Sequence, residues 1–403
     1  MRDTAKTLPE IKKTDGVPIH LYAENLEAGA YQQAEMCAQL PHAFHHIAIM
    51  PDAHQGYAMP VGGVMALRGA VMPNAVGVDI GCGMVAARTS IDSWAVRKDL
   101  EEAAREILHR IPVGFDWHEK PQTGEVLERV LRAKGKEKSR LKDRLPVVME
   151  HEDEIAYQLG TLGGGNHFIE LQQDEENRLW VMLHSGSRNI GLQIATHYHN
   201  LAKDYCAAQK SALPKDYAFL PLDRPEARQY LEEMQWALDF AMQNRLRMLE
   251  RICGILREVF SRPVEKILEV RTHHNYAAWE THFGERVLVH RKGAVRALAG
   301  ELVTIPGSMG TLSYIGRGKG HADSFASCSH GAGRIMGRKQ ALREISEADF
   351  HRQVKDVIVV TPKLNRIIDE APAAYKNIED VMKLQEPMVE PAFRLRPLAV
   401  VKG

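Results

Sequence analysis

The sequence has 403 residues, 44% hydrophobic and 26% charged, with 52 lysines and arginines balanced by 52 aspartates and glutamates. This composition excludes fibrous and disordered classes, and the zero net charge excludes a global field that draws the chain to nucleic acid or membrane, so any polyanion site must be local. Five cysteines without a CxxC pair argue against a disulfide framework and for a reducing compartment, so a cytoplasmic location is expected.

The opening MRDTAKTLPEIKK has no apolar core of the signal-peptide kind, and the most apolar stretch, residues 62–87, is broken by Arg68 and Asp79. Neither a leader nor a membrane-spanning segment is expected. In chain order, short β-rich runs at 46–50 and 63–67 predict strands, and a helix is predicted over 94–110. Residues 119–144 hold nine lysines and arginines against five acids; this reads as a solvated helix face ahead of an RNA-facing surface. A strand at 179–183 and a helix at 196–208 follow. The strongest helical period runs over 225–261, where Leu231, Met234, Leu238, Met242, Leu249, Ile252, Leu256 and Val259 share one stripe behind Pro225, the mark of a core scaffold helix. Strands at 287–290, 357–360 and 398–401 complete the pattern. It implies a mixed α/β (α+β) fold with functional groups on loops at strand ends, and with no repeat or linker to divide it, one domain over 1–403.

Several phrases carry chemistry. In VGVDIGCGM, from Val76, glycines let Asp79 and Cys82 face one point, where carboxylate and thiolate suit a divalent cation; a turn-capping acid and a buried thiol are the plainer alternative. TLGGGNHFIE presents Asn166, His167 and Glu170, and VMLHSGSRNIG presents His184 and Arg188, an arginine suited to a bidentate phosphate contact. RTHHNYA offers His273 and His274, of which one reaches a shared metal because neighbouring side chains diverge. Asp79, Cys82, His167, His184 and His274 thus form a candidate set large enough for two cations bridged by a thiolate. SFASCSHGAGR places His330 among small residues before Arg334, an imidazole able to attack phosphorus beside a guanidinium that neutralises charge. IPGSMGT and GRGKG are plausible phosphate turns but not a Walker A. Lys13 in KTDG matches the nucleophile motif of lysine-dependent nucleotidyltransferases, yet four residues match often by chance, and DGVPI reads as a turn into a strand.

Taken together, MPDAHQGY at Met50, VGVDIGCGM, LGGGNHFIE, LHSGSR, HHN, IPGSMGT, SCSHGAGR and the final VVKG resemble, in order and over nearly the whole chain, the RtcB family of RNA-splicing ligases. The resemblance implies an RtcB-type fold of central β-sheets flanked by helices. It also implies an enzyme that uses GTP and two manganese ions to join an RNA 3′-phosphate or 2′,3′-cyclic phosphate to a 5′-hydroxyl, in RNA repair or tRNA splicing. By phrase-to-phrase matching it puts the guanylated nucleophile at His330, oriented by Asp52. Cys82 falls between two ions, one completed by Asp79 and His167 and the other by His184 and His274. Guanine and phosphate recognition fall on Asn166, Glu170, Ser308, Ser313, Tyr375 and Lys402, with Tyr375 stacking on the base, and RNA phosphate and activated-phosphate contacts fall together on Arg188 and Arg334. Archease enters as a candidate activating partner. A nucleotide-independent phosphodiesterase and a silent RNA-binding relative are the competing readings of the same residues.

Overall fold

The computed structural model describes residues 8–403. Two large sheets carry a mixed α/β architecture with helices packed against them. The six-stranded sheet runs in the order Glu10–Lys12, Ile19–Leu21, Ala43–Tyr57, Met59–Leu67, Glu285–Lys292, Asn275–His282. The eight-stranded sheet runs Lys266–His273, Gly83–Asp92, Arg178–Ser185, Phe168–Gln173, Val389–Val401, Ser313–Gly318, Leu302–Ile305, with Ile358–Val360 parallel to the end of Val389–Val401.

Strand Arg178–Ser185 is buried from Leu179 onward, because both faces are covered. Leu179, Val181 and Leu183 pack with helix Leu100–Arg110 and the second half of the long helix, while Trp180 and Met182 meet Met84, Ile315 and Leu395 on the other side. A continuous apolar run is what a strand covered on both faces requires. The long helix Pro225–Val259 opens on proline at its first turn, where the missing N–H costs nothing, and spans about 52 Å at 1.5 Å per residue. Its first half buries Tyr230, Met234 and Ala237 against helix Asn189–Ala208.

Boundaries shift for local reasons. The helix expected over 94–110 is a 3-10 turn at Trp94–Val96 and then an α-helix at Leu100–Arg110, since Trp94 is exposed and donates its indole N–H to Asn177 Oδ1. The helix expected from 196 starts at Asn189, because the apolar row Ile190, Ile194, Tyr198, Ala202 begins inside the glycine-serine phrase. The run at 46–50 belongs to a 15-residue strand whose register shifts between Ile49 and His54. Helices Glu125–Leu131 and Gly135–Arg144 bury Leu127, Val130 and Leu141 and leave most of their basic residues exposed, so the 119–144 segment is largely a solvated face. DGVPI leads by bends into Ile19–Leu21. No helix among the described residues is long and apolar enough to cross a membrane.

The sheets meet at single residues. Lys266–His273 lies in one sheet and Asn275–His282 in the other, so His274 alone makes the crossing. Gly293 likewise joins Glu285–Lys292 to Ala294–Arg296, whose pairing of Ala294 with Ser329 delivers His330 to the same place.

Candidate active site

Strand register assembles the site. Gly83 pairs with both His273 and Ser185, Phe168 pairs with His184, and Val401 with Ile169. Cys82, His274, His184, His167 and Lys402 therefore emerge along one edge of the eight-stranded sheet, from five neighbouring strands. Two glycines make room for them. A Cβ on Gly186 would collide with Asp79 Oδ1, and Gly163, at φ +94°, would place one 2.5 Å from His167 Nδ1, so both positions need the bare backbone.

Among the described residues two groups can hold a metal ion, Asp79, Cys82 and His167, and Cys82, His184 and His274, with ligand atoms within 4.8 Å of one another in each. Cys82 Sγ is common to both, 3.6 Å from His167 Nε2 and 3.0 Å from His184 Nε2. His167 Nδ1 faces Leu162 O at 3.0 Å and His184 Nδ1 faces Asn166 O at 3.1 Å. A carbonyl only accepts, so both Nδ1 atoms carry protons and each Nε2 is left to point a lone pair at the thiol. His167 Nε2 then lies 3.2 Å from Asp79 Oδ2, and His184 Nε2 lies 3.2 Å from His274 Nε2. At that distance the His167 nitrogen and the Asp79 carboxylate are close enough for one cation to bind both.

The electrostatics agree. Burial alone would raise the Asp79 carboxyl, but the hydrogen bond and charge of His167 hold it down at about 2. Burial lowers His184 and His274 well below the ordinary histidine value, keeping both neutral. Burial and the neighbouring Asp79 charge push the Cys82 thiol up, a penalty that a bound cation reverses by taking the thiolate directly. Sulfur, nitrogen and oxygen donors of this kind fit a borderline divalent ion.

Asp52 and His330 form the second element. Asp52 sits in the register-shifted part of its strand, where a bulge re-aims a side chain. Its Oδ2 accepts from His330 Nδ1 at 2.7 Å and from the His330 backbone N–H at 3.1 Å. Burial would raise the fully buried Asp52 carboxyl; His330 overcomes this and keeps it low. With Nδ1 holding the proton, His330 Nε2 keeps a free lone pair, and the ring centroid lies 4.9 Å from that of His274.

The cleft, of about 370 Å³, is lined by His330, Asp79, Cys82, His184 and His274 together with Asn166, Glu170, Ser308, Tyr375, Lys402 and Arg334. His167 and Ser313 stand just behind its wall; Ser313 Oγ accepts from Gly307 N and Gln172 Nε2 at 3.1 Å each. Burial pushes Glu170 up to about 7. Tyr375 donates to Glu370 at 2.6 Å, and the Arg334 guanidinium covers one face of its ring at 5.0 Å. Arg188 lies apart from this cleft lining: its guanidinium donates to Thr161 Oγ1, Leu162 O and Gly114 O and clamps the histidine loop from behind. It does so from a backbone at φ +63°, ψ −152°, a conformation that costs about 1–3 kcal/mol.

The sequence model of the family described as "RtcB: tRNA-splicing ligase RtcB" matches residues 33–403. The chain belongs to the RtcB family. It is similar to "RNA-splicing ligase RtcB" of Escherichia coli (strain K12), 38% identical over 412 residues that cover 98% of this chain and 99% of that protein. "tRNA-splicing ligase RtcB" of Thermococcus kodakarensis is 30% identical over 472 residues, covering 98% and 97% respectively.

Some residues that shape this RtcB cleft escaped the sequence reading. Asn244 and Arg245, on the long helix, are fully buried. Asn244 Oδ1 accepts from Gly160 N and Thr161 N, and its amide donates to Ser185 Oγ at 3.1 Å. Arg245 donates to Gly81 O at 2.9 Å and Ser185 O at 2.7 Å. The signal was present: both fall on the apolar stripe, three and four residues after Ala241, where a polar side chain needs a buried partner. Glu370 left no such sign. It accepts from Arg334, Arg338, Tyr375 and Lys402, and against the effect of burial, Lys402 and Arg338 hold it near 2.

Proposed function

We propose that this chain is a GTP- and manganese-dependent RNA ligase that joins 3′-phosphate or 2′,3′-cyclic phosphate ends to 5′-hydroxyl ends through a His330–GMP intermediate. The observation that carries the reading is the His330 imidazole, fixed by buried Asp52 and set beside two metal-ligand groups that share one thiol. Bound divalent ions would add positive charge where phosphates gather. His330 Nε2 attacks the α-phosphorus of GTP, an N–P bond forms, and pyrophosphate leaves. Asp52 balances the imidazolium that results. A cyclic end is first opened by water, which breaks the P–O2′ bond and leaves a 3′-phosphate and a 2′-hydroxyl; an oxygen of the RNA 3′-phosphate then attacks the phosphorus on His330, freeing His330 and leaving a 3′-diphosphate–guanosine end. The 5′-hydroxyl attacks the RNA 3′-phosphorus, and GMP departs.

Asn166, Ser308 and Lys402 hold the nucleotide, Ser313 supports the Ser308 turn from behind through Gly307 N, Glu170 accepts from the guanine N1 and N2 positions, and Tyr375 stacks on the base. Arg334 faces RNA or activated phosphate from the cleft wall, whereas Arg188 acts through the histidine loop it clamps. The same donors would bind zinc more tightly than manganese by the usual affinity order, so manganese must be supplied. The chain acts as one catalytic domain in a cytoplasmic RNA repair or tRNA splicing reaction, with archease as a candidate activator.

Manganese and α-labelled GTP should give an acid-labile, alkali-stable protein label that is lost in His330→Ala. Persistent labelling of that variant overturns the nucleophile. Opening of cyclic ends without GTP and without any joining overturns the ligase reading in favour of a phosphodiesterase.

A further inference from the structure

Beside the catalytic cleft lies a second, more open groove of about 900 Å³, walled by Arg110, Val113, Trp117, His118, Lys120 and Thr361. The divide between the two is glycine backbone. Gly114 N donates to Gly163 O at 2.9 Å. A Cβ on Gly403 would collide with Gly114 N and lie 2.8 Å from Gly163 O, and one on Gly164 would lie 3.4 Å from Gly114 Cα. Gly163 and Gly164 belong to the loop that presents Asn166 and His167, and Gly403 follows Lys402. A polymer leaving the metal ligands in this direction crosses this glycine saddle, which the Arg188 guanidinium holds from beneath through Gly114 O.

Beyond the saddle stand two aromatic rings in three residues, Phe115 at 94% exposure and Trp117 at 44%. Basic groups gather beside them. Arg105 and Arg110 are neutralised by Glu101, Glu106 and Glu258, but among the described residues Lys120, Arg247 and Arg251 have no carboxylate partner. Arg251 donates only to Arg110 O, at 3.3 Å. Burial, and then Arg247, lower Arg251; burial, and then Arg251, lower His118. Such a crowd of cations stays together at a cost that an anion relieves. Asp116 and Glu119 line the groove beside Lys120, whereas Arg247 and Arg251 stand at its margin, next to His118 and Arg110, so the anionic chain must pass on the side of Lys120 and the two arginines.

We propose that this groove binds single-stranded RNA leading to the reacting end, with bases stacked on Trp117 and Phe115 and phosphates facing Lys120, Arg247 and Arg251. Every base has a π-face, so the track is sequence-tolerant, and its backbone contacts make it salt-dependent. The inference rests on the RNA-joining reading above and adds to it the path of the strand.

The test is equilibrium binding by fluorescence anisotropy, which needs no catalysis. The probes are a 10-nucleotide RNA with a 3′-phosphate, another with a 5′-hydroxyl, and 3-nucleotide versions of each. For at least one end type the wild-type protein should hold the longer strand about tenfold more tightly than the shorter. F115A/W117A should abolish that advantage, and K120E should reduce the salt slope by about 1. Both rings are exposed, so the double variant keeps the fold, and RNA-independent labelling with GTP should stay at wild-type level. Absence of that labelling in the wild type would sink the proposed function and leave the binding result standing. The groove assignment itself is overturned if the wild type shows no length advantage, or if F115A/W117A retains it for both end types.

Discussion

Replacing Asp52 by asparagine isolates the charge behind His330 from its geometry. The shorter list of acceptors still keeps one oxygen where Asp52 Oδ2 accepts from Nδ1 at 2.7 Å and from the backbone at 3.1 Å, so the ring should stay in place. What disappears is the carboxylate facing the imidazolium that the proposed guanylylation of Nε2 would form. Two unit charges about 4 Å apart interact by about 4 kcal/mol at an effective dielectric of 20, and exchanging a charged hydrogen bond for a neutral one costs about 1–2 kcal/mol. Asp52 is fully buried, so solvent does not screen the loss. The two figures bracket the loss of the same interaction, so the barrier to guanylylation should rise by about 1–4 kcal/mol, a fall in rate of roughly 5- to 1000-fold. The assay is the initial rate of label transfer from α-labelled GTP at saturating manganese, with metal content matched between variants. The substituted amide also enters the position of Asp52 Oδ1, buried without a partner, so a lower melting temperature is expected and the rate must be read well below it. Labelling by D52N within threefold of wild type would refute the role given to this carboxylate.

Two further outcomes follow from the same geometry. Because Cys82 belongs to both ligand groups and His167 to one, elemental analysis should find two ions per chain in the wild type, near one in H167Q and less than one in C82S; two tightly held ions in C82S would refute the shared thiolate. Glu170, raised to about 7 by burial, loses its second acceptor oxygen as pH falls, so GTP affinity should weaken by up to about tenfold per unit below 7. Calorimetric titration at pH 6 and 8 should show this slope shrinking in E170Q; an undiminished slope would detach it from the carboxylate.

The sequence determined the chemistry of this protein more completely than its shape. The phrases around Asp79, Cys82, His167, His184, His274 and His330 were legible because catalysis needs particular atoms flanked by small residues, and such short runs are readable without any fold. The scaffold helix was equally plain, since 35 residues of helical period leave a long signal. Why those phrases converge was not legible. Convergence depends on antiparallel register between strands far apart in the chain, on the one-residue crossing at His274, and on Gly293 bringing His330 beside it. The tertiary structure alone also turned Arg188 from the cleft into a clamp, gathered four donors on Glu370, and left Phe115 and Trp117 exposed just after Gly114, which bonds the histidine loop at Gly163. Local sequence encodes what a side chain can do. Only long-range strand pairing and burial fix what it faces.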